Sequence, residues 1–207
     1  MNIASKNMKY PKIRELIEAI KALIQGPYTS KFPFKPHVPP ERYRGQPVYN
    51  DDECVGCGAC AEVCTTGCIK MEDNVNGDPP MRKLTVRYES CIFCGQCQVA
   101  CITKEGIKQT NKLDDLAVFD RNEAVNSVEK ELVLCEGCGC TVGAKEHLIW
   151  VAKRLGPLAY SSPTSYLSAL KDLKLAYLKV EKSDELTRQD RVKTLCPKCR
   201  REITLNT

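Results

Sequence analysis

The chain has 207 residues, 14 of them cysteine, and its 31 basic and 26 acidic side chains leave a formal charge of +5. That length permits one or two domains with a sizeable core, and a charged fraction of 28% beside an apolar fraction of 43% excludes a disordered chain. The charge is uneven, at +6 over residues 1–50, −6 over 51–134 and +5 over 135–207, which excludes a uniformly basic nucleic-acid binder.

Apolar runs such as Leu148-Ile149-Trp150-Val151-Ala152 are too short to span a bilayer. The first thirty residues carry no continuous apolar core of signal-peptide type, which argues against secretion. Without an export signal, this cysteine usage points to metal rather than to a disulfide framework.

In chain order, the first element is a helix over Lys12 to Ile24. Ile13, Leu16, Ile17, Ile20, Leu23 and Ile24 recur there at helical spacing, and Gly26-Pro27 stops it. Pro27, Pro33, Pro36, Pro39, Pro40 and Pro47 make the next stretch an extended strap. Beyond the ninth cysteine, Cys101, a turn-rich connection leads to a short strand, Glu131-Leu132-Val133-Leu134. Ala144 to Leu155 reads as a helix ended by Gly156-Pro157, Ser161 to Ser165 as a polar loop, and Tyr166 to Val180 as a further helix.

The chemistry lies in an internal repeat. Cys54, Cys57, Cys60 and Cys64 have the spacing C-x2-C-x2-C-x3-C, and Cys91, Cys94, Cys97 and Cys101 repeat it 37 residues later. This is the two-cluster bacterial ferredoxin signature, in which the fourth cysteine of each run serves the other cluster. Three thiolates two residues apart wrap three corners of an iron–sulfur cube, and glycines such as Gly56, Gly58 and Gly95 let backbone amides approach its sulfides. The fourth thiolate is expected to begin the following helix and to cross over.

Cluster one therefore takes Cys54, Cys57, Cys60 and Cys101, and cluster two takes Cys91, Cys94, Cys97 and Cys64. Two unrelated zinc knuckles are the alternative, which a tandem match of eight cysteines disfavours. Thr65 and Ile102 stand where proline usually follows the fourth cysteine. Cys68, outside both runs, reads as a buried packing residue.

Glu41-Arg42-Tyr43-Arg44-Gly45, Gly67-Cys68-Ile69 and Cys91-Ile92-Phe93-Cys94-Gly95 resemble the two-cluster ferredoxin-like subunit of respiratory complex I. Asp115-Leu116-Ala117-Val118-Phe119 and the late cysteine pairs resemble the homologous subunit of formate hydrogenlyase and related membrane-bound [NiFe] hydrogenases. The resemblance covers about residues 38–142 and 194–201. It implies two [4Fe–4S] clusters that pass single electrons between an electron-input subunit and a small cluster-bearing subunit beside a [NiFe] large subunit. It also implies membrane subunits beside them, a peripheral location on the cytoplasmic side of the membrane, and a non-ligand role for Cys68. The apolar stripe of the first helix, with Lys6, Lys9, Lys12, Arg14 and Lys21 around it, suits docking at a membrane surface or against membrane subunits. Packing on its own domain or on a soluble partner is the alternative.

A second metal site is expected at Cys135, Cys138, Cys196 and Cys199, two C-x2-C hooks that can close a tetrahedral structural zinc site. The 57 residues between the hooks make this a zinc ribbon with a helical insertion. Cys140 could replace Cys138, and a third iron–sulfur cluster or metal-free thiols are the alternatives. A nucleic-acid-binding ribbon carrying Lys193, Lys198, Arg200 and Arg201 lacks interleaved aromatic residues, so no nucleic-acid partner is expected. His37 and His147 lie at no ligand spacing and read as surface or packing residues. There is no Gly-rich phosphate loop, flavin or nicotinamide fingerprint or nucleophile–base pair, and no catalytic residue is expected.

The expected fold is α+β. An N-terminal amphipathic helix and strap cover residues 1–47, a two-[4Fe–4S] ferredoxin-like core 48–112, a connector 113–134, and a zinc-ribbon-like extension 135–207. The function expected is an electron-transfer subunit of a membrane-bound [NiFe] hydrogenase or formate hydrogenlyase-type complex. A subunit of a complex I-like or carbon monoxide-linked oxidoreductase is the alternative within that class. A non-redox interaction module stapled by metal is the alternative outside it.

Overall fold

The computed structural model describes residues 12–26, 35, 38–112, 120–173 and 188–205. Residues 1–39 and 40–207 are two compact units, each described by itself. In the first, helix α1 spans Ile13–Gln25. The Glu15 carboxylate accepts the Lys12 amide at 3.1 Å, which satisfies one donor of the first turn. At the other end Gly26, at φ +74°, donates its amide to the Ala22 carbonyl. The helix buries none of its residues, and Ile13, Leu16, Ile17, Ile20, Leu23 and Ile24 are all exposed. Most of the proline strap, including His37, lies outside the described residues, as do Asp115 to Phe119.

The second unit is mixed α and β. Strand β1 (Pro47–Tyr49) precedes the first cysteine run, and β4 (Ile107–Gln109) follows the second. The two pair antiparallel, Val48 opposite Lys108. Between them come the one-turn helix α2 (Ala59–Glu62), strands β2 (Ile69–Asn74) and β3 (Met81–Arg87), and the one-turn helix α3 (Gln96–Val99). Strands β5 (Val125–Leu134) and β6 (Thr141–Ala144) complete a four-stranded antiparallel sheet in the order β2-β3-β5-β6. Helices α4 (Lys145–Leu155), α5 (Pro163–Asp172) and α6 (Pro197–Leu205) follow.

Alternation builds the sheet. In β3 the side chains of Arg82, Leu84 and Val86 are buried, and in β5 those of Val128, Lys130 and Leu132. Leu84 lies opposite Val128, and Arg82 opposite Lys130. Leu84, Val86 and Val128 share one core with Tyr49, Ile69, Ile107 and the cysteines Cys54, Cys60, Cys68 and Cys97. Ile69 and Ile107, the isoleucines that follow the two runs, hold matching buried positions. A second core contains Cys135, Leu195, Cys196, Cys199 and Ile203.

Three expectations are corrected. The strand before Cys135 is not confined to Glu131–Leu134; it begins at Val125, because Val128, Lys130 and Leu132 continue the buried alternation. The polar loop ends at Ser162, since Pro163 begins α5, where its fixed φ suits a first helical position. That helix runs to Asp172, and residues 174–187 lie outside the described residues. The fourth cysteines do not begin helices either. Cys64 and Cys101 lie after the one-turn helices α2 and α3, while the third cysteines, Cys60 and Cys97, lie within them.

Candidate iron–sulfur and thiolate centres

The two cysteine runs fold alike. Gly58 and Gly95, the residues after the second cysteines, both have φ +81° with ψ near zero. The left-handed backbone favours glycine at Gly58, where a Cβ would also have to push aside the Met71 side chain, whose Sδ would lie 2.7 Å away. Gly56 and Phe93, one residue before the second cysteines, are also left-handed, as are Gly67 and Lys104, three residues after the fourth.

This backbone surrounds two cavities. The first is lined by Cys54, Cys57, Cys60 and Cys101 with Tyr49, Leu84, Thr103 and Ile107. The second is lined by Cys91, Cys94, Cys97 and Cys64 with Cys68, Thr66 and Ile69. Each cavity thus receives three thiols from one run and the fourth from the other. The walls are mainly apolar, and the only sulfur beyond each set of four is that of Cys68. Four soft thiol donors around an apolar cavity, twice over, fit the ligand demand of a four-iron cluster.

The two surroundings differ. At the first cavity Tyr49 Oη lies 3.5 Å from Cys60 Sγ, and Thr103 Oγ1 3.3 Å from Cys101 Sγ. The loop that carries Cys54 and Cys57 is held by two buried cations. Arg82 Nη1 donates to the Gly56 carbonyl at 3.0 Å, while its Nε and Nη2 grip both oxygens of Asp73 at 2.7 and 2.9 Å. Lys130 Nζ donates to the Asp51 carbonyl at 2.6 Å and pairs with the carboxylates of Asp51 and Glu146 at 3.1 and 3.0 Å. At the second cavity the loop is held by neutral or exposed donors. Gln109 Nε2 donates to the Phe93 carbonyl and Arg44 Nη1 to the Cys94 carbonyl, each at 3.0 Å. Cys68 Sγ lies 3.3 Å from Cys64 Sγ.

Thiol acidity divides by position. Burial pushes Cys54 and Cys97 up to about 11. At Cys64 burial acts in the same direction, but the Cys68 thiol, the Ile69 and Cys68 amides and the Thr66 hydroxyl bring it down to about 7. Cys101 also falls: burial opposes the shift, and the Thr103 hydroxyl with the amides of Thr103, Gly106 and Ile107 overcomes it. Both crossing cysteines are therefore set among donors that favour thiolate.

The late cysteines meet as well. The sulfurs of Cys135, Cys138, Cys140 and Cys196 all lie within 4.8 Å of one another. Cys199 packs in the same buried cluster, and its amide donates to Cys196 Sγ at 3.4 Å. The Cys196 amide donates to Cys135 Sγ at 3.2 Å, joining the hooks directly. Glu136 fastens them together: its amide donates to the Thr194 carbonyl, and its carboxylate accepts the Thr194 amide at 2.8 Å and an ion pair from Lys171. Four soft thiols at this separation suit one thiophilic cation. His147 lies half-buried in α4, with its pKa lowered by burial and by the nearby Arg82 charge, and serves neither site.

Sequence reasoning located the cysteines but missed Tyr49, Arg82, Lys130, Thr103, Glu136 and Thr194. For Arg82 and Lys130 a signal existed, since each stands in phase with the buried residues of its strand. Thr103 also had one, since it follows Cys101 by two residues as Thr66 follows Cys64, and both hydroxyls lie near those sulfurs; no local pattern marks Tyr49, Glu136 or Thr194.

The paired cavities and the repeat around them define a two-cluster ferredoxin-like domain. Residues 53–104 match the 4Fe-4S dicluster domain family. Among relatives, NAD(P)H-quinone oxidoreductase subunit I of Gloeobacter violaceus is 27% identical over 53% of this chain and 58% of its own. Formate hydrogenlyase subunit 6 of Escherichia coli is 31% identical over 27% of this chain and 31% of its own. A solved chain of the membrane-bound sulfane sulfur reductase, an archaeal respiratory membrane complex, is 26% identical over 53% of this chain and 57% of its own, with a TM-score of 0.33. The chain thus spans between about a third and three fifths of the length of these curated relatives. The dicluster domain is an iron–sulfur electron-transfer module homologous to subunit I and to formate hydrogenlyase subunit 6. Among the described residues no helix is long and apolar enough to cross a membrane.

Proposed function

We propose that this chain is the two-cluster electron-transfer subunit of a membrane-bound [NiFe] hydrogenase or formate hydrogenlyase-type complex. Cluster one is held by Cys54, Cys57, Cys60 and Cys101, and cluster two by Cys91, Cys94, Cys97 and Cys64. The observation that carries this reading is the exchange of fourth cysteines between two thiol-lined cavities. When bound, each cluster supplies a centre that gains and loses one electron. The residues of the chain provide the thiolates, exclude water with Leu84, Ile69 and Ile107, and aim the Tyr49 and Thr103 hydroxyls at ligand sulfurs.

A structural zinc ion at Cys135, Cys138, Cys196 and Cys199 staples the two hooks. Zinc has no redox chemistry, so its contribution is to folding. The partners are a small cluster-bearing subunit, the [NiFe] large subunit, an electron-input subunit and membrane subunits, with the chain peripheral on the cytoplasmic side. Exposure of the whole apolar stripe of α1 supports docking through that helix. A complex I-like assembly is the second reading, supported by the longer match to subunit I.

Affinity isolation of the tagged chain from anaerobically grown cells, with nickel analysis and peptide sequencing of what accompanies it, tests the assignment. A nickel-containing large subunit is expected. Recovery with quinone-reducing subunits and no nickel would favour the second reading, and recovery alone would contradict both.

A further inference from the structure

The C-terminal site has five thiols where a tetrahedral cation needs four. Cys135, Cys138 and Cys196 belong to either set that can be drawn. Distance supplies Cys140 as the fourth, since its sulfur closes a group of four within 4.8 Å. Hook geometry supplies Cys199, which stands in C-x2-C relation to Cys196, donates its amide to that sulfur, and packs in one buried cluster with Cys135 and Cys196. The two candidates differ in exposure: Cys140 is exposed and Cys199 buried.

From this geometry we propose that Cys140 and Cys199 alternate as the fourth thiolate, giving a zinc-class cation an open and a closed coordination. The inference rests on the reading of this cluster as a metal site. In the closed set only Cys138 is exposed; in the open set Cys138 and Cys140 both are. The exchange is balanced within the protein. The Cys140 thiol gives up its proton as its sulfur binds, and the departing Cys199 thiolate takes one up, with no change in oxidation state or in the number of metal–sulfur bonds. The site is then stable in place yet accessible to chelators and to competing cations from the Cys140 side.

The test uses the full-length chain with its clusters in place, loaded with Zn²⁺ and followed by native mass spectrometry and by transfer of zinc to a chromophoric chelator. The wild type and the single variants Cys140→Ser and Cys199→Ser are each expected to hold one zinc. Release should slow on the order of tenfold in Cys140→Ser and quicken on the order of tenfold in Cys199→Ser, the scale on which groups beside a metal's ligands act. Loss of zinc from either single variant, or release at the wild-type rate from both, would overturn the alternation while leaving a metal site. A wild-type chain that binds neither Zn²⁺ nor Co²⁺ would overturn the metal reading itself. Alkylation of the zinc-loaded wild type needs no variant. Modification of Cys140 with zinc retained is expected, and zinc lost in step with that modification contradicts the inference.

Discussion

The two cysteine runs share a backbone and differ in what surrounds it. Both have left-handed residues at the same three places, the same one-turn helix and the same crossing of the fourth cysteine. The first run occupies those three places with Gly56, Gly58 and Gly67; the second has Phe93, Gly95 and Lys104. Two buried cations and a tyrosine hydroxyl support the first cavity, whereas an amide, a thiol and the exposed Arg44 support the second. A repeated spacing thus fixes a repeated ligand cage, while neighbours distant in sequence make the two cages unequal. Unequal cages are a means of giving two clusters different potentials, because hydrogen bonds to sulfur, burial and nearby charge set those potentials.

The largest expected effect would abolish one side of the comparison. Cys101→Ala removes the only thiol that the second run gives the first cavity, so iron should fall from about eight to about four per chain, with one paramagnetic signal lost. Retention of both signals would break the crossed assignment. Next comes Arg82→Met, which removes the charge partner of Asp73 and frees the Gly56 carbonyl. Loss of these part-buried charge-assisted hydrogen bonds should cost about 1.5 kcal/mol in chemical unfolding, and the first cluster should become the more easily bleached of the two. Equal bleaching would show that the cation does not favour the first loop.

Tyr49→Phe deletes the hydroxyl near Cys60 and nothing else. A hydrogen bond to sulfur favours the more negative reduced state, so its loss should lower the potential of one cluster by about 40 mV, the one-electron equivalent of about 1 kcal/mol. A redox titration followed by electron paramagnetic resonance should find the other cluster unmoved. The smallest effects concern the left-handed positions. A Cβ at Gly67 meets nothing within 4 Å, so Gly67→Ala isolates the conformational cost and should destabilise by about 1 kcal/mol. Lys104→Gly, at the matching place, should stabilise by about 0.5 kcal/mol, because relief of the left-handed backbone is partly offset by the freedom that glycine gains on unfolding. Effects of the same sign would deny that the two runs share one backbone.

The cysteine spacing was legible because three ligands on one tight loop leave little freedom in sequence. Helix α1, the helix over Lys145–Leu155 and the thiol convergence near the C-terminus were legible from periodicity and from paired C-x2-C hooks. The extent of β5 was not, since Lys130 interrupts its apolar alternation and only its contacts with Asp51 and Glu146, which no local pattern reveals, explain a buried lysine there. Tyr49 was missed for a related reason: it stands on β1, which pairs with a segment about 60 residues away, and its contact with Cys60 follows no sequence pattern. Local pattern carries the thiols and the Thr103 hydroxyl, and tertiary structure carries the buried cations around them.

Iron and acid-labile sulfide analysis of the anaerobically purified full chain tests the two-cage account most directly. About eight irons and eight sulfides per chain, in two signals that titrate at different potentials, are the predicted result. About four irons, or eight in two signals that titrate together, would contradict it.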